Sequence, residues 1–161
     1  MSKKNRTAHE PEAEPAYQTP AYFPSSAPPP PDPRAVIGNA ADVWSHVKSR
    51  AVANDEREHF LAFYLDVRHR LLDGGPYEVA VGSICGVEVH PREVFRKAIL
   101  VAATAVIFVH NHPSGDTSPS RQDHELTSRL RQVGELIGIQ VLDHLIVVAG
   151  GYVSFADKGW L

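Results

Sequence analysis

Four side chains between residues 110 and 123 have the types and the spacing to do chemistry together. They are His110, His112, Ser120 and Asp123, set as His-x-His, seven residues, Ser, two residues, Asp. On an extended backbone, residues i and i+2 point to the same side. Both imidazoles can therefore converge on one point where a strand ends. If a helix beginning near Ser120 returns over that strand end, the Asp123 carboxylate completes a set of two histidines and one acid. Three nitrogen and oxygen ligands with one open position suit a catalytic zinc. The open position takes a water whose pKa the metal lowers toward neutrality. A plainer reading exists for each residue. Ser120-Arg121-Gln122-Asp123 has the form of a helix capping box, and a single histidine is more often structural than metal-ligating. The two readings are compatible, because Ser120 can cap a helix and border a metal site at once.

The elements that must position these residues can be read from the apolar pattern. Ala105–His110, "AVIFVH", is β-branched and aromatic, as a short central strand is. From Pro119 the pattern predicts a helix. Leu126, Leu130, Val133 and Ile137 recur at helical spacing, and Gly138 stops the run. Upstream, Asn39 can cap a helix in which Val43, Trp44 and Val47 share a face. Glu58–Val67, "EHFLAFYLDV", is nearly continuous in apolar residues, as a strand buried on both faces would be. Asp73-Gly74-Gly75-Pro76 reads as a turn, and Tyr77–Ser83 as the returning strand. Pro91 suits the first position of a helix carrying Val94, Phe95, Ala98 and Ile99. After Gly138, "IQVL", "HLIVVAG" and "YVSF" read as closing strands, with Gly150-Gly151 as a hairpin turn. Strands alternating with helices, plus hairpins, predict an α/β fold, a mixed sheet flanked by helices around one core. No internal repeat is visible.

The composition sets bounds on the whole. The chain has 161 residues, enough for one domain with a real core. Nine of its 13 prolines lie at or before Pro33, including the run Pro28–Pro31. Proline fixes φ and lacks an amide donor, so residues 1–34 are expected to form a disordered or polyproline-II tail, and residues 35–161 the folded domain. The net charge of −3 offers no electrostatic footprint for nucleic acid. The one cysteine, Cys85, excludes an intrachain disulfide and a cysteine-based zinc site, and fits a reducing, cytoplasmic setting. The basic start, "MSKKNR", is followed by no apolar run, so no secretory signal is expected. No stretch is apolar for long enough to span a bilayer.

The spacing His110-x-His112-x7-Ser120-x2-Asp123 is that of the JAMM motif, and the chain resembles the JAB/MPN metalloprotease superfamily. The string "HNHPSGDTSPSRQD", with "HPREVF" before it and "LDHLIV" after it, is similar to the RadC-like branch, over roughly Asn39–Leu161. The resemblance implies the JAB/MPN, cytidine-deaminase-like architecture. It also implies one Zn²⁺ per chain on His110, His112 and Asp123, and a peptide or isopeptide substrate of unnamed identity. It implies that Ser120 supports the tetrahedral intermediate and that an upstream glutamate acts as general base. Glu58 is favoured for that base because it opens the apolar strand after the first helix. Glu93, in "HPREVF", is the rival, although an acid in the first turn of a helix has its own structural reason. Glu88 and Glu125 rank lower; Glu125 lies about 200° around the helix axis from Asp123.

Other residues carry weaker signals. His144 is expected to play a structural or supporting role rather than bind metal, and Cys85 to be a small core residue. Arg92 and Arg121 are expected to be solvated. Among other classes, an iron(II) oxygenase also uses two histidines and a carboxylate, but its first motif mixes a histidine with an acid. Amidohydrolases use His-x-His on a barrel of about 250 residues, longer than this chain. A DNA-repair or mobile-element-associated module is a further alternative. Longer RadC-like relatives carry a helix-hairpin-helix region where this chain has its prolines, and no basic stripe precedes residue 35. An inactive scaffold is disfavoured because every ligand position of the motif is filled.

Overall fold

In the computed structural model, residues 34–48, 50–82 and 88–161 are described. The proline-rich segment, Cys85 and the end of the expected strand at Ser83 lie outside them. The elements run α1 (Ala40–Val47), a 3-10 turn η1 (Ala51–Asn54), β1 (His59–Leu65), β2 (Tyr77–Val81), α2 (Pro91–Leu100), β3 (Ala105–Asn111), α3 (Arg121–Ile137), β4 (Gln140–Val148) and β5 (Gly151–Ser154). The five strands form one mixed sheet in the order β2-β1-β3-β4-β5. β3 and β4 are parallel, joined by the α3 crossover, and the other neighbouring pairs are antiparallel. This is the expected α/β fold, consistent with the JAB/MPN architecture.

The two central strands β1 and β3 are buried along their whole length, which is why their sequences read as continuous apolar runs rather than alternating ones. Their side chains still alternate between two cores. Leu61, Phe63, Leu65, Ile107 and Val109 pack with Val43 and Val47 of α1 on one face. Phe60, Ala62, Tyr64, Val106 and Phe108 pack with Val94, Phe95 and Ala98 of α2 and Leu130 of α3 on the other. Continuing that alternation, His110 falls on the α2/α3 face and Asn111 on the α1 face.

The closing segment differs from expectation. "IQVL" and "HLIVVAG" are one continuous strand, β4, with Asp143 inside it. The hairpin that follows turns through Ala149-Gly150, because Gly151 already pairs with Val148. Within the β3–β4 pair the register shifts by one residue between Val106 and Ile107. Val106 faces Val141, whereas Phe108 faces His144. A one-residue slip moves side chains to the opposite face. The shift thus puts His144 on the same face as Phe108 and His110; an unshifted pairing would turn it toward α1.

Candidate metal centre

β3 ends by delivering His110, and the chain leaves the sheet through His112. His110 is 1% exposed, and His112 is half-buried. Gly115, at φ 80°, lets the loop fold back. α3 then begins at a true capping box. Ser120 Oγ accepts the Asp123 N–H at 3.2 Å, and Asp123 Oδ2 accepts the Ser120 N–H at 2.7 Å. The Ser120 hydroxyl also donates to Asp123 Oδ2 at 2.6 Å. The cap therefore does more than start the helix. It fixes the Asp123 carboxylate over the end of β3.

Three donor atoms meet there. His110 Nε2 lies 3.0 Å from His112 Nε2. It is 3.2 Å from Asp123 Oδ1, and His112 Nε2 is 3.6 Å from Asp123 Oδ2. Ligands held at about 2.0–2.1 Å around a tetrahedral zinc are about 3.3 Å apart, so the observed spacings fit such an ion. The chemistry of the donors fits as well. His112 Nδ1 is 2.7 Å from the Asp116 carbonyl, which can only accept, so Nδ1 carries the hydrogen. In the neutral ring this leaves the Nε2 lone pair facing the other donors. Among the described residues, His110, His112 and Asp123 are the group that could hold a metal ion.

The electrostatics agree with a site built for positive charge. The hydrogen bond to Asp123 raises the pKa of His112; burial opposes it, and the Asp116 carbonyl and the Glu58 charge add to the rise. Burial resists ionisation of Asp123, yet the two imidazoles and Ser120 outweigh it and hold its carboxyl far below the usual range.

Glu58 sits just before β1, half-buried. It lines the cleft of about 570 Å³ into which His110, His112, Ser120 and Asp123 open. Its carbonyl accepts the Gly82 N–H at 2.7 Å. Phe60, Val89 and Leu126 give the cleft an apolar wall, and Glu88, Gln122, Glu125 and Arg129 line it too. Glu93 lies outside this cleft lining, exposed and paired with Arg92 at 3.1 Å. Glu125, expected to face away from Asp123, also lines the cleft and pairs with Arg121 at 3.1 Å.

Two contributors escape sequence reasoning. Asn111, between the histidines, is fully buried on the opposite face. Its Oδ1 accepts the His59 N–H at 2.7 Å, and its Nδ2 donates to the carbonyls of Arg57 at 2.9 Å and Asp55 at 3.3 Å. Thr127 is also buried and lies four residues after Asp123 on α3. That i,i+4 spacing was the available signal. Its hydroxyl contacts His144 Nδ1 at 2.6 Å, and His144 Nε2 contacts His110 Nδ1 at 2.8 Å.

The family model described as a RadC-like JAB domain matches residues 37–160. The chain belongs to the RadC-like JAB domain family. It is 50% identical over 119 residues to a UPF0758 protein of Syntrophotalea carbinolica, covering 74% of this chain and 51% of that one. It is 42% identical over 130 residues to a UPF0758 protein of Methanosarcina acetivorans, covering 81% and 56%. A UPF0758 protein of Rubrobacter xylanophilus is 42% identical over 128 residues, covering 80% and 55%. This RadC-like chain spans about half the length of the curated relatives it matches. Among its described residues, no helix is long and apolar enough to cross a membrane.

Proposed function

We propose that this RadC-like JAB domain is a zinc-dependent amide hydrolase of the peptidase or isopeptidase type. One observation carries the reading. Two imidazole nitrogens and a carboxylate converge within 4.8 Å of one another, in a cleft that Glu58 also lines. His110, His112 and Asp123 would hold the ion and leave a fourth position open. Bound there, zinc supplies Lewis acidity, polarising a carbonyl oxygen and making a water acidic enough to attack at neutral pH.

The remaining work falls to the chain. The Glu58 carboxylate takes a proton from the attacking water and hands it to the leaving amine. Ser120 has one hydroxyl proton, given in the resting structure to Asp123 Oδ2. Turned outward, that proton stabilises the developing oxyanion. Phe60, Val89 and Leu126 give the cleft an apolar wall, and a less polar surrounding strengthens charge interactions.

Elemental analysis of tag-free protein beside the His112→Ala variant tests the metal, and a peptide and isopeptide screen with Glu58→Gln tests the chemistry. The expected result is about one zinc per chain, lost in His112→Ala. Glu58→Gln should keep its zinc and lose hydrolysis. Iron in place of zinc, or full activity in Glu58→Gln, would overturn the assignment.

A further inference from the structure

His144 Nε2 lies 2.8 Å from His110 Nδ1, and His144 Nδ1 lies 2.6 Å from Thr127 Oγ1. The Thr127 hydroxyl in turn donates to the backbone carbonyl of Asp123 at 2.6 Å. The hydrogens in this chain can be placed one by one. A carbonyl only accepts, so the single Thr127 hydroxyl hydrogen points at Asp123. Thr127 can then only accept from His144, and the His144 hydrogen sits on Nδ1. A neutral imidazole has one N–H, so His144 Nε2 is an acceptor and the hydrogen between the two rings belongs to His110 Nδ1. The remaining nitrogen of His110, Nε2, keeps its lone pair free, and it is the atom that faces His112 and Asp123.

The surroundings of His144 keep it neutral. It is fully buried. Its ring stacks on Phe155 at 5.1 Å and meets the edges of Phe60 at 5.5 Å and Phe108 at 6.1 Å. Among the described residues no carboxylate hydrogen-bonds the ring. Among the described residues, Thr127 and His110 are the hydrogen-bond partners of the ring.

We infer that Thr127 and His144 form a tautomer lock, two positioning residues that hold His110 in its Nδ1–H form with Nε2 ready to bind an ion. The lock also joins two of the three donors, since it runs from the His110 ring to the Asp123 backbone. A metal-bound histidine is commonly oriented by the hydrogen bond its other nitrogen makes, usually to a carboxylate, a carbonyl or a water. A neutral imidazole in that place orients without adding negative charge. The inference rests on the metal-centre reading for its purpose and on hydrogen-bond direction for its content.

Imidazole ¹⁵N NMR on histidine-labelled protein, joined to zinc titration by chelator competition, tests it. In the wild-type protein His144 and His110 each carry a proton on Nδ1, and His144 carries none on Nε2. Thr127→Val removes the acceptor, keeps the shape and frees His144 to move its hydrogen to Nε2. The His110 Nε2 then acquires the proton, and zinc binding weakens by about 10- to 100-fold. Thr127→Ser restores both the tautomer and the affinity. A wild-type His144 protonated on Nε2 would overturn the lock even if the variants failed to fold. So would a folded Thr127→Val protein with unchanged tautomers and affinity. A wild-type chain with both Nδ1 protons that binds no zinc would instead sink the proposed function and leave the lock standing.

Discussion

Asn111 and His59 are joined by a 2.7 Å hydrogen bond from the His59 backbone N–H to the Asn111 side-chain oxygen. With the Asn111 amide donating to the Arg57 and Asp55 carbonyls, one side chain of β3 clamps both sides of Glu58. The strand that presents His110 on one face thus fixes, through its other face, the residue proposed as base. Asn111→Ala leaves a buried N–H and two carbonyls without this partner. It should cost about 1–3 kcal/mol in urea unfolding. Zinc stoichiometry should hold, while hydrolysis falls as Glu58 loses its tether. A variant with wild-type stability and turnover would show that the clamp is incidental.

Ser120 serves the helix and the site through one hydroxyl. Ser120→Ala removes the N-cap and the 2.6 Å bond to Asp123 Oδ2. The loss of the cap is expected to cost about 1 kcal/mol, measured on metal-free protein. Zinc affinity should drop as well, because of its two bonds from Ser120 the Asp123 carboxylate then keeps only the one from the backbone N–H. Ser120→Thr keeps a hydroxyl and should recover most of both. If the alanine variant were destabilised with its zinc affinity intact, the serine would be a cap alone.

Much of the fold was legible because its determinants are local. The apolar runs of β1 and β3, the Asn39 and Ser120 caps and the Gly138 stop each announce themselves within a few residues. The spacing of the candidate ligands was readable for the same reason, since His110 and His112 are two apart at the end of β3. What was hidden depends on pairing between distant segments. A polar Asp143 inside "IQVLDHLIVV" looks like a break between strands. It is tolerated because Ser154 and Ala156, brought alongside by the β4–β5 hairpin, satisfy it. The register shift that turns His144 toward His110 likewise leaves no mark in either strand's own pattern. Asn111 could not be read as a clamp until the 55–59 segment was placed against it.

Gly134 is a point of close approach between α3 and its neighbours. A Cβ there would collide with the Ile139 carbonyl and crowd Val141 and Phe95. That carbonyl belongs to the chain's return into β4 and cannot swing aside like a side-chain tip. Gly134→Ala gains helix propensity of about 1 kcal/mol, but the overpacking should outweigh it, with a net loss of about 1–3 kcal/mol. Thermal unfolding is the measurement. A higher Tm in the variant would mean that the α3–β4 connection yields more than its packing indicates.

Asp143 is 7% exposed and accepts three hydrogen bonds. They come from the His144 N–H at 2.7 Å, the Ala156 N–H at 2.9 Å and the Ser154 hydroxyl at 2.6 Å. Burial raises its pKa, and these donors only partly offset the rise. An acid whose folded pKa exceeds its unfolded value, about 3.9 for aspartate, binds its proton more tightly when folded. Its contribution to stability is full below that value and is lost as pH rises through the raised one. Asp143→Asn keeps the Oδ1 acceptor and cannot ionise, and it leaves every other titrating group in place. The stability of the wild type relative to Asp143→Asn should therefore be greatest near about pH 3.5 and fall toward about pH 7. Urea unfolding of both proteins at stepped pH reads this directly. A difference that grew with pH would mean that the three donors outweigh burial and that Asp143 is stabilised as the anion.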